Sequence, residues 1–487
     1  MTPLLILESF LIYTGLLFVI SYVTSRHANN ESYFVGNRQS PWYIVAYGMI
    51  GASLSGVTFI SIPGEVGNSH FSYMMIVFGY LIGYVVIARV LIPLYYRLNL
   101  TSIYSYLEQR FGVSSYKTGA FFFLVSRVIG ASFRMFLVVN VLQIFVFDAW
   151  NVPFYITVSG FMMLMVLYTY RGGIKTIIWT DTLQTTFMLV TVIISIFLIK
   201  DELGLTLGQL VNKVSVSEYS QMINIDWNGK SYFLKQFVSG AFIAIVMTGL
   251  DQDMMQKNLS CKNVRDAKKN IYWMSISLVP VNFIILFLGA VLYIYADTKG
   301  IAIPTRTDNL FPVIAMNYLS PLAGIVFIIG LISAAYSSAD SALTSLTTSF
   351  SVDFLGMEKK NNFDEKKKTK IRNIVHVSIA ALIVVVIIIF RAINDDSVIS
   401  KLFTIAGYTY GPLLGLYFFG MFTSYNIKDK WVPIVAVVAP VLSYIISDNS
   451  QAWFGGYKFG FELLIVNGCL TFIGLLLLRQ KNHNKVS

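Results

Sequence analysis

Apolar residues run through this chain in blocks that recur from one end to the other. Each block has about 20 residues or more, enough to cross the hydrocarbon core of a bilayer as an α-helix. The ninth block is too long for one span, so we expect it to bend or to project from the membrane. The pattern predicts an all-α polytopic membrane protein with about thirteen transmembrane helices, near residues 4–24, 42–66, 71–95, 118–147, 153–170, 177–199, 233–256, 271–296, 311–352, 373–391, 398–423, 430–447 and 459–478.

Composition supports this class. Of the 487 residues, 56% are hydrophobic and 13% are charged, whereas a soluble chain is about one-quarter charged. The net charge of +11 does not indicate a nucleic-acid partner, because most of the 36 Lys and Arg residues lie in alternate connections between the predicted spans. By the positive-inside rule these connections are cytoplasmic. We therefore expect a multi-pass plasma-membrane protein (inner membrane in a Gram-negative cell) with its N-terminus outside and its C-terminus in the cytoplasm.

The stretch "SAAYSSADSALTSLTTS", residues 333–349, carries many hydroxyls for a segment inside a membrane. On a helix its small side chains form a stripe along one face, with Asp340 at the edge. Two interpretations are open. Small residues let helices pack closely, whereas oxygens beside a carboxylate suit a hard cation such as Na⁺. The stripe consists of Ala334, Ser337, Ser338, Ser341, Thr344, Ser345 and Thr348.

A second interruption is "GMIGASLSGVTFISIPGEVG", residues 48–67, where five glycines and Pro63 break an apolar block. Non-helical backbone at membrane depth occurs where it lines a cavity or is packed in protein. Unwinding also frees carbonyl oxygens that can coordinate an ion. The alternative is an ordinary glycine–proline kink.

Ionisable groups inside predicted spans are costly, so each is a candidate functional residue. Asp181 and Gln184 lie one turn apart after a predicted tight turn at 172–173. Arg127 and Arg134 lie seven residues apart, on nearly the same helix face. A buried arginine needs an anion or a carboxylate partner. For the carboxylate and for both arginines, a structural ion pair with a neighbouring helix is the alternative to a ligand site.

Two further segments carry polar groups near span ends. In "TGLDQDMMQKNLS" we expect Asp251, Gln252 and Asp253 to be solvated or to pack against a helix. In "AGYTYGPLLG", Tyr408 and Tyr410 lie near a Gly-Pro break and are candidates to line a pathway through the protein.

Taken together and in this order, these segments resemble the sodium/solute symporter family. The resemblance runs from "YFVGNR" to "GYTYGPLLGLYFFGMF" and includes "IPLYYRLNLTSIYSYLEQRFG", "YRGGIKTIIWTDTLQ" and "GLDQDMMQKNLS". It implies a LeuT-like core of two inverted five-helix repeats. The implied organisation is an extra helix and a cytoplasmic loop in 1–41, a first repeat in 42–200, an extracellular loop in 201–232, a second repeat in 233–423, and two C-terminal helices with a short tail in 424–487.

The resemblance implies a main Na⁺ site between the broken helix and the hydroxyl stripe. The backbone carbonyls of Gly56 and Phe59 would contribute from the broken helix. The family's Ala-x-x-Ser-Ser pattern is present as Ala334, Ser337 and Ser338.

Some members of the family have a second Na⁺ site, which here would use Asp181 and Ser337 together with Asp340 and Ser341. This chain departs from the family at Asp340, where a hydroxyl is more usual. The extra charge either strengthens a second cation site or takes a proton. We therefore expect one transported Na⁺, or two.

For the substrate, the resemblance points to an organic anion. The segment "VTFISIPGEVG", residues 57–67, is similar to the branch that carries monocarboxylates, vitamin carboxylates and iodide. Arg134 instead resembles the carboxylate-binding arginine of sialic acid transporters. The polar set of sugar-carrying members is absent, since Ala244 and Met247 stand in place of an amide and a gating tyrosine. The implied substrate-binding candidates are Thr58, Ser61, Phe78, Arg134, Met247 and Tyr408.

These observations predict a Na⁺-coupled symporter that imports a small organic anion, such as a sialic acid or a monocarboxylate, by alternating access. The alternatives are a Na⁺/sugar or other neutral-solute symporter and H⁺ coupling through Asp181 or Asp340. An alternative from another class is a membrane sensor that transports nothing. An enzyme is not expected, because the four His residues form no metal cluster or catalytic arrangement. No particular oligomeric state is indicated.

Overall fold

Several helices of this chain begin at a residue whose side chain caps the first turn. Thr2 accepts a hydrogen bond from Leu5 N at the first helix, and Asn263 Oδ1 accepts one from Asp266 N at 2.9 Å. Ser320 caps another helix just before a proline at its first position. Such side-chain oxygens satisfy N–H groups that a helix start leaves without partners.

The computed structural model describes residues 2–26, 30–170, 173–357, 364–393 and 398–480. The predicted turn at 172–173 therefore lies partly outside the described residues. The first ten α-helices are α1 Pro3–Ser25, α2 Asn30–Val35, α3 Trp42–Ser69, α4 Tyr73–Val86, α5 Ile92–Arg97, α6 Ser105–Arg110, α7 Val113–Leu142, α8 Phe154–Thr169, α9 Gly173–Glu202 and α10 Leu207–Ser215.

The remaining helices lie in the second half of the chain. They are α11 Phe233–Ala244, α12 Gln252–Leu259, α13 Val264–Lys299, α14 Leu310–Val313, α15 Pro321–Ser349, α16 Glu365–Ile393, α17 Val398–Phe422, α18 Val432–Asp448, α19 Ser450–Trp453 and α20 Leu463–Leu477. Short π-helical turns continue α4, α7, α11, α14 and α15. Strand β1 (Asn426–Ile427) pairs antiparallel with β2 (Arg479–Gln480).

Within the described residues, nine helical stretches are long and apolar enough to cross a membrane, or ten if α11 and α12 form one span. One of the nine, Trp42–Arg97, contains two of the predicted spans. The apolar helices α8 and α20 are shorter than the others. The polytopic helical class is confirmed, whereas the number thirteen is not.

Two of the predicted spans are broken. Helix α3 loses helical geometry at Ser55, where φ is 44° and ψ is 172°. The predicted interruption in 48–67 is therefore confirmed, although it falls on a serine, for which a positive φ is unusual. Helices α11 and α12 meet at an angle of 64°, just after Gly249. This second break was not predicted, since 233–256 was expected to be continuous.

The broken helices α3 and α11 pack closely against neighbouring helices. Helix α3 packs against α9, α13 and α15, and α4 packs against α11. A methyl group at Gly79 would lie 2.0 Å from Phe237 O, and one at Gly240 would lie 2.1 Å from Ile76 O. Glycine therefore lets α4 and α11 approach backbone to backbone, as small residues do in membrane helices.

Candidate substrate and cation sites

A cavity of about 80 Å³ lies beside the break in α3 and is called here the central cavity. In this structure the cavity is narrower than most small-molecule sites, which measure about 300–1,000 Å³. Its wall is formed by residues of α3, α4, α7, α11, α12, α13 and α17 and of the π-helical turn that continues α11. The polar side chains in this wall are Ser53, Ser55, Thr58, Tyr73, Tyr80, Tyr84, Arg127, Arg134, Thr248 and Asn282.

Arg134 brings a charge to this cavity. Its side chain projects from α7 and is 7% exposed. Neither Nε nor Nη1 has a hydrogen-bond partner among the residues that the structure describes. A buried guanidinium without partners is costly because its donors have lost water and gained nothing in exchange. The central cavity therefore offers unsatisfied, positively charged donors to whatever it binds.

Arg127 lies two turns earlier on the same helix, and its charge is matched within the protein. Its Nη2 forms a salt bridge with Asp253 of α12. Asp253 also accepts a hydrogen bond from Ser341 Oγ of α15. These contacts join three helices at one buried carboxylate. For Arg127, the structural ion pair considered from the sequence is the arrangement observed.

The prediction that Asp251 and Asp253 are solvated is wrong, because both are fully buried. The other expectation, a role in helix packing, agrees with the structure. Asp251 caps α12 and accepts a hydrogen bond from Asp253 N at 2.9 Å. Tyr410 of α17 donates its hydroxyl to the other oxygen of Asp251. Tyr410 thus ties α17 to the bend between α11 and α12.

The structure brings some of the predicted substrate residues together. Thr58, Arg134 and Met247 line the central cavity. Ser61 and Phe78 are not part of its wall: Ser61 is fully buried, and Phe78 packs into the hydrophobic core.

Helix α4 presents a different face to the cavity from the one that carries Phe78. Tyr73, Tyr80 and Tyr84 line it, and the hydroxyls of Tyr73 and Tyr80 lie 3.1 Å apart. Spacings of seven and four residues place these tyrosines on one helix face. The sequence analysis missed them, although this spacing was a usable signal.

Tyr408 lines a second cavity, of about 340 Å³, called here the vestibule. Glu65, Lys230 and Gln236 are among its polar residues. Tyr73 and Phe403 line both the vestibule and the central cavity, so these two side chains lie where the two spaces meet. Tyr408 is therefore placed away from Arg134, on the far side of this partition.

The residues predicted for the main cation site belong to α3 and α15, two helices that pack against each other. The ring of Phe59 lies 5.4 Å from that of Phe311 and 5.9 Å from that of Phe327 at the start of α15. Ser338 Oγ donates to Ala334 O at 3.3 Å. These residues and Gly56 supply neutral carbonyl and hydroxyl oxygens, the ligands that a hard monovalent cation takes. The donor set fits Na⁺.

The residues predicted for a second cation site are engaged with other groups. Asp181 Oδ2 lies 2.6 Å from Lys257 Nζ, and Asp181 Oδ1 accepts from Ser337 Oγ at 2.8 Å. Asp340 accepts from Tyr168 Oη at 2.6 Å and from its neighbour's backbone N–H at 2.6 Å. Gln184, one turn beyond Asp181, is fully buried. Both carboxylates therefore already have partners within the protein.

Lys257 is the functional candidate that sequence reasoning missed. It lies on α12, and its side chain is 1% exposed. The available signal was its place four residues after Asp253, which puts both on one face of a short helix.

Comparison with known proteins agrees with this geometry. A sequence model of the Sodium:solute symporter family matches residues 33–426. The sodium/sialic acid symporter NanT of Aliivibrio fischeri is 25% identical over 94% of this chain and 91% of its own length. The sodium-coupled monocarboxylate transporter 2 of Bos taurus is 23% identical over 88% and 72%. A solved substrate-bound, outward-open Na⁺-coupled sialic acid symporter superposes with a TM-score of 0.82 at 18% identity, covering 97% of both chains. The fold is therefore the LeuT-like one expected.

Proposed function

We propose that this chain, which belongs to the sodium:solute symporter family, imports a small organic anion, a sialic acid or a monocarboxylate, together with Na⁺. As a member of that family, the protein is a Na⁺-coupled membrane transporter of a small organic solute and not an enzyme. The anionic nature of the solute rests on one observation: Arg134 lies buried in the wall of the central cavity, and two of its three guanidinium nitrogens have no partner in the described part of the chain.

A carboxylate satisfies the donors that Arg134 leaves open. The planar guanidinium presents two parallel N–H groups that match the two oxygens of a carboxylate, and such charge-assisted bonds are the strong ones. Thr58 and the tyrosines of α4 lie in the same wall and supply hydroxyls for the neutral part of the solute. The residues of this wall are therefore suited to bind an anion that also carries polar groups.

Na⁺ would bind between α3 and α15, held by the carbonyls of Gly56 and Phe59 and by the oxygens of Ala334, Ser337 and Ser338. A cation held there bridges the break in α3 to α15, which stabilises one arrangement of the two helices. The break at Ser55 belongs both to this helix and to the wall of the central cavity. Binding of Na⁺ thus favours the shape of the cavity that receives the solute, and this is the thermodynamic basis of coupling.

Movement between the two sides would follow the alternating-access scheme of inverted repeats, here 42–200 and 233–423. With the N-terminus outside, the vestibule opens to the exterior, and Tyr73 and Phe403 separate it from the central cavity. A membrane potential of 100 mV supplies about 2.3 kcal/mol for each net charge carried inward.

The test is uptake of radiolabelled N-acetylneuraminate, lactate and glucose into proteoliposomes under an inward Na⁺ gradient. We expect uptake of an anion, its loss when choline replaces Na⁺, and its loss in the Ser337→Ala/Ser338→Ala variant. Ser345→Ala is the matched control, because this serine lies seven residues beyond Ser338 and donates to a carbonyl of its own helix.

Three outcomes would overturn the proposal. One is anion uptake that persists without Na⁺ or in the double-serine variant. Another is uptake driven by a pH jump in Na⁺-free vesicles, which would establish H⁺ coupling. The third is uptake of glucose but of neither anion, which would make the solute neutral.

A further inference from the structure

We infer that Lys257 fills the position of a second cation, so that this protein carries one Na⁺ in each cycle and not two. The inference rests on the proposed function and specifies its stoichiometry. The residues that a second Na⁺ would need as ligands already bind other groups of the protein.

The ammonium of Lys257 already neutralises Asp181. Nζ lies 2.6 Å from Oδ2, and both side chains are only 1% exposed. Ser337 Oγ donates to Oδ1 at 2.8 Å, so both carboxylate oxygens have partners. A Na⁺ ion at this carboxylate would have to displace the ammonium or lie beside it. Two like charges sharing one buried carboxylate repel each other strongly at low dielectric.

The other residues predicted as ligands of a second Na⁺ also form hydrogen bonds within the protein. Both oxygens of Asp340 accept hydrogen bonds, one from Tyr168 and one from the backbone N–H of Ser341. Ser341 Oγ donates to Asp253, whose charge is matched by Arg127. The carboxylate of Asp340 is thus directed toward α8, while the hydroxyl of Ser341 is directed toward α12. A Na⁺ ion that used both groups would have to break these hydrogen bonds.

Lys257 differs from a dissolved cation because it is tethered. It is carried by α12, beyond the 64° bend that follows α11, and so it moves with that helix. A tethered ammonium compensates the charge of Asp181 throughout the cycle without crossing the membrane. The main site between α3 and α15 remains for the one transported Na⁺.

The number of Na⁺ ions carried in each cycle determines how far a monovalent anion can be accumulated. One Na⁺ and one carboxylate carry no net charge, so accumulation depends on the Na⁺ gradient alone. A tenfold Na⁺ gradient then supports about tenfold accumulation at zero flux, and a potential of 100 mV leaves it unchanged. Two Na⁺ would support about 100-fold accumulation, raised a further ~50-fold by 100 mV.

The first experiment counts ²²Na⁺ bound to the purified protein in detergent by equilibrium dialysis, without organic solute. We expect one Na⁺ in the wild type and in Lys257→Arg. We expect two in Lys257→Met, where the freed carboxylate recruits a cation, and one again in Lys257→Met/Asp181→Asn, which removes both charges. Lys200→Met, which breaks a more exposed ion pair with Asp201, should bind one.

Two Na⁺ per wild-type protein would overturn the inference, and so would a single Na⁺ in Lys257→Met. If Lys257→Met does not fold, the counts for the wild type and for Lys257→Arg still decide the matter. Because this assay contains no organic solute, its result is independent of whether the transported solute is an anion.

The second experiment measures zero-flux accumulation of N-acetylneuraminate in wild-type proteoliposomes, with the potential set by K⁺ and valinomycin. About tenfold accumulation that does not respond to potential supports one Na⁺. Accumulation that responds steeply to potential overturns it. Absence of any Na⁺-driven anion uptake is instead a failure of the proposed function.

Discussion

Arg127 and Arg134 offer a comparison within one helix. They lie seven residues apart on α7, both line the central cavity, and they are 4% and 7% exposed. Arg127 has Asp253 as a partner, whereas two of the three nitrogens of Arg134 have none in the described chain. Burial and charge are therefore nearly equal, and only the partner differs. The paired arginine stabilises the bundle, and the open one is available to a ligand.

The largest effect, a loss of stability, should come from breaking the salt bridge of Arg127. Arg127→Met leaves Asp253 as an uncompensated buried charge, which costs about 3–5 kcal/mol of stability. We expect a marked fall in the melting temperature of the detergent-purified protein. Arg127→Met/Asp253→Asn removes both charges and should recover much of the loss. An unchanged melting temperature in the single variant would contradict a structural role for the pair.

Substitution of Arg134 should lower the affinity for the solute without lowering the stability of the protein. Arg134→Gln removes a charge that has no carboxylate partner in the described structure, so the melting temperature should stay the same or rise. Loss of a charge-assisted pair with the solute costs about 2–3 kcal/mol, or roughly 30- to 150-fold in affinity. The measurement is the concentration dependence of Na⁺-driven anion uptake. Arg134→Lys, which keeps the charge but not the planar fork, should lose less.

The smallest effect is expected from a neutral hydroxyl in the same wall. Thr58→Val keeps the shape of the side chain and removes one hydrogen bond, worth about 1 kcal/mol, or about fivefold in apparent affinity. Ser61→Ala, three residues along α3, is the control, since Ser61 is not part of the cavity wall. Equal losses in the two variants would contradict the placement of the solute beside Arg134.

The sequence predicted the local features of these sites well and their pairings poorly. The break in α3, the hydroxyl stripe of α15 and the shared face of the two arginines all follow from residue spacing along one segment. The partner of Arg127 does not, because Asp253 lies 126 residues away and only the tertiary fold brings α7 and α12 together. Lys257 and Asp181 are distant for the same reason.

The bend after Gly249 was predictable in principle. An inverted repeat that breaks its first helix at Ser55 implies a matching break in the first helix of the second repeat, which is α11 with α12. Ser61 and Phe78 were predicted as substrate residues from the family resemblance alone. Whether a side chain faces the cavity depends on the rotation of its helix, which the resemblance does not determine. On α4, the residues that line the cavity are instead Tyr73, Tyr80 and Tyr84.

The most direct test of the central claim is a thermal-shift titration of the purified protein with N-acetylneuraminate and lactate, each compared with its uncharged methyl ester. Binding to the folded state raises the melting temperature in proportion to the logarithm of ligand excess. We predict stabilisation by at least one acid, in Na⁺ but not in choline, by neither ester, and not in Arg134→Gln. Equal stabilisation by an acid and its ester, retained in Arg134→Gln, would contradict the account.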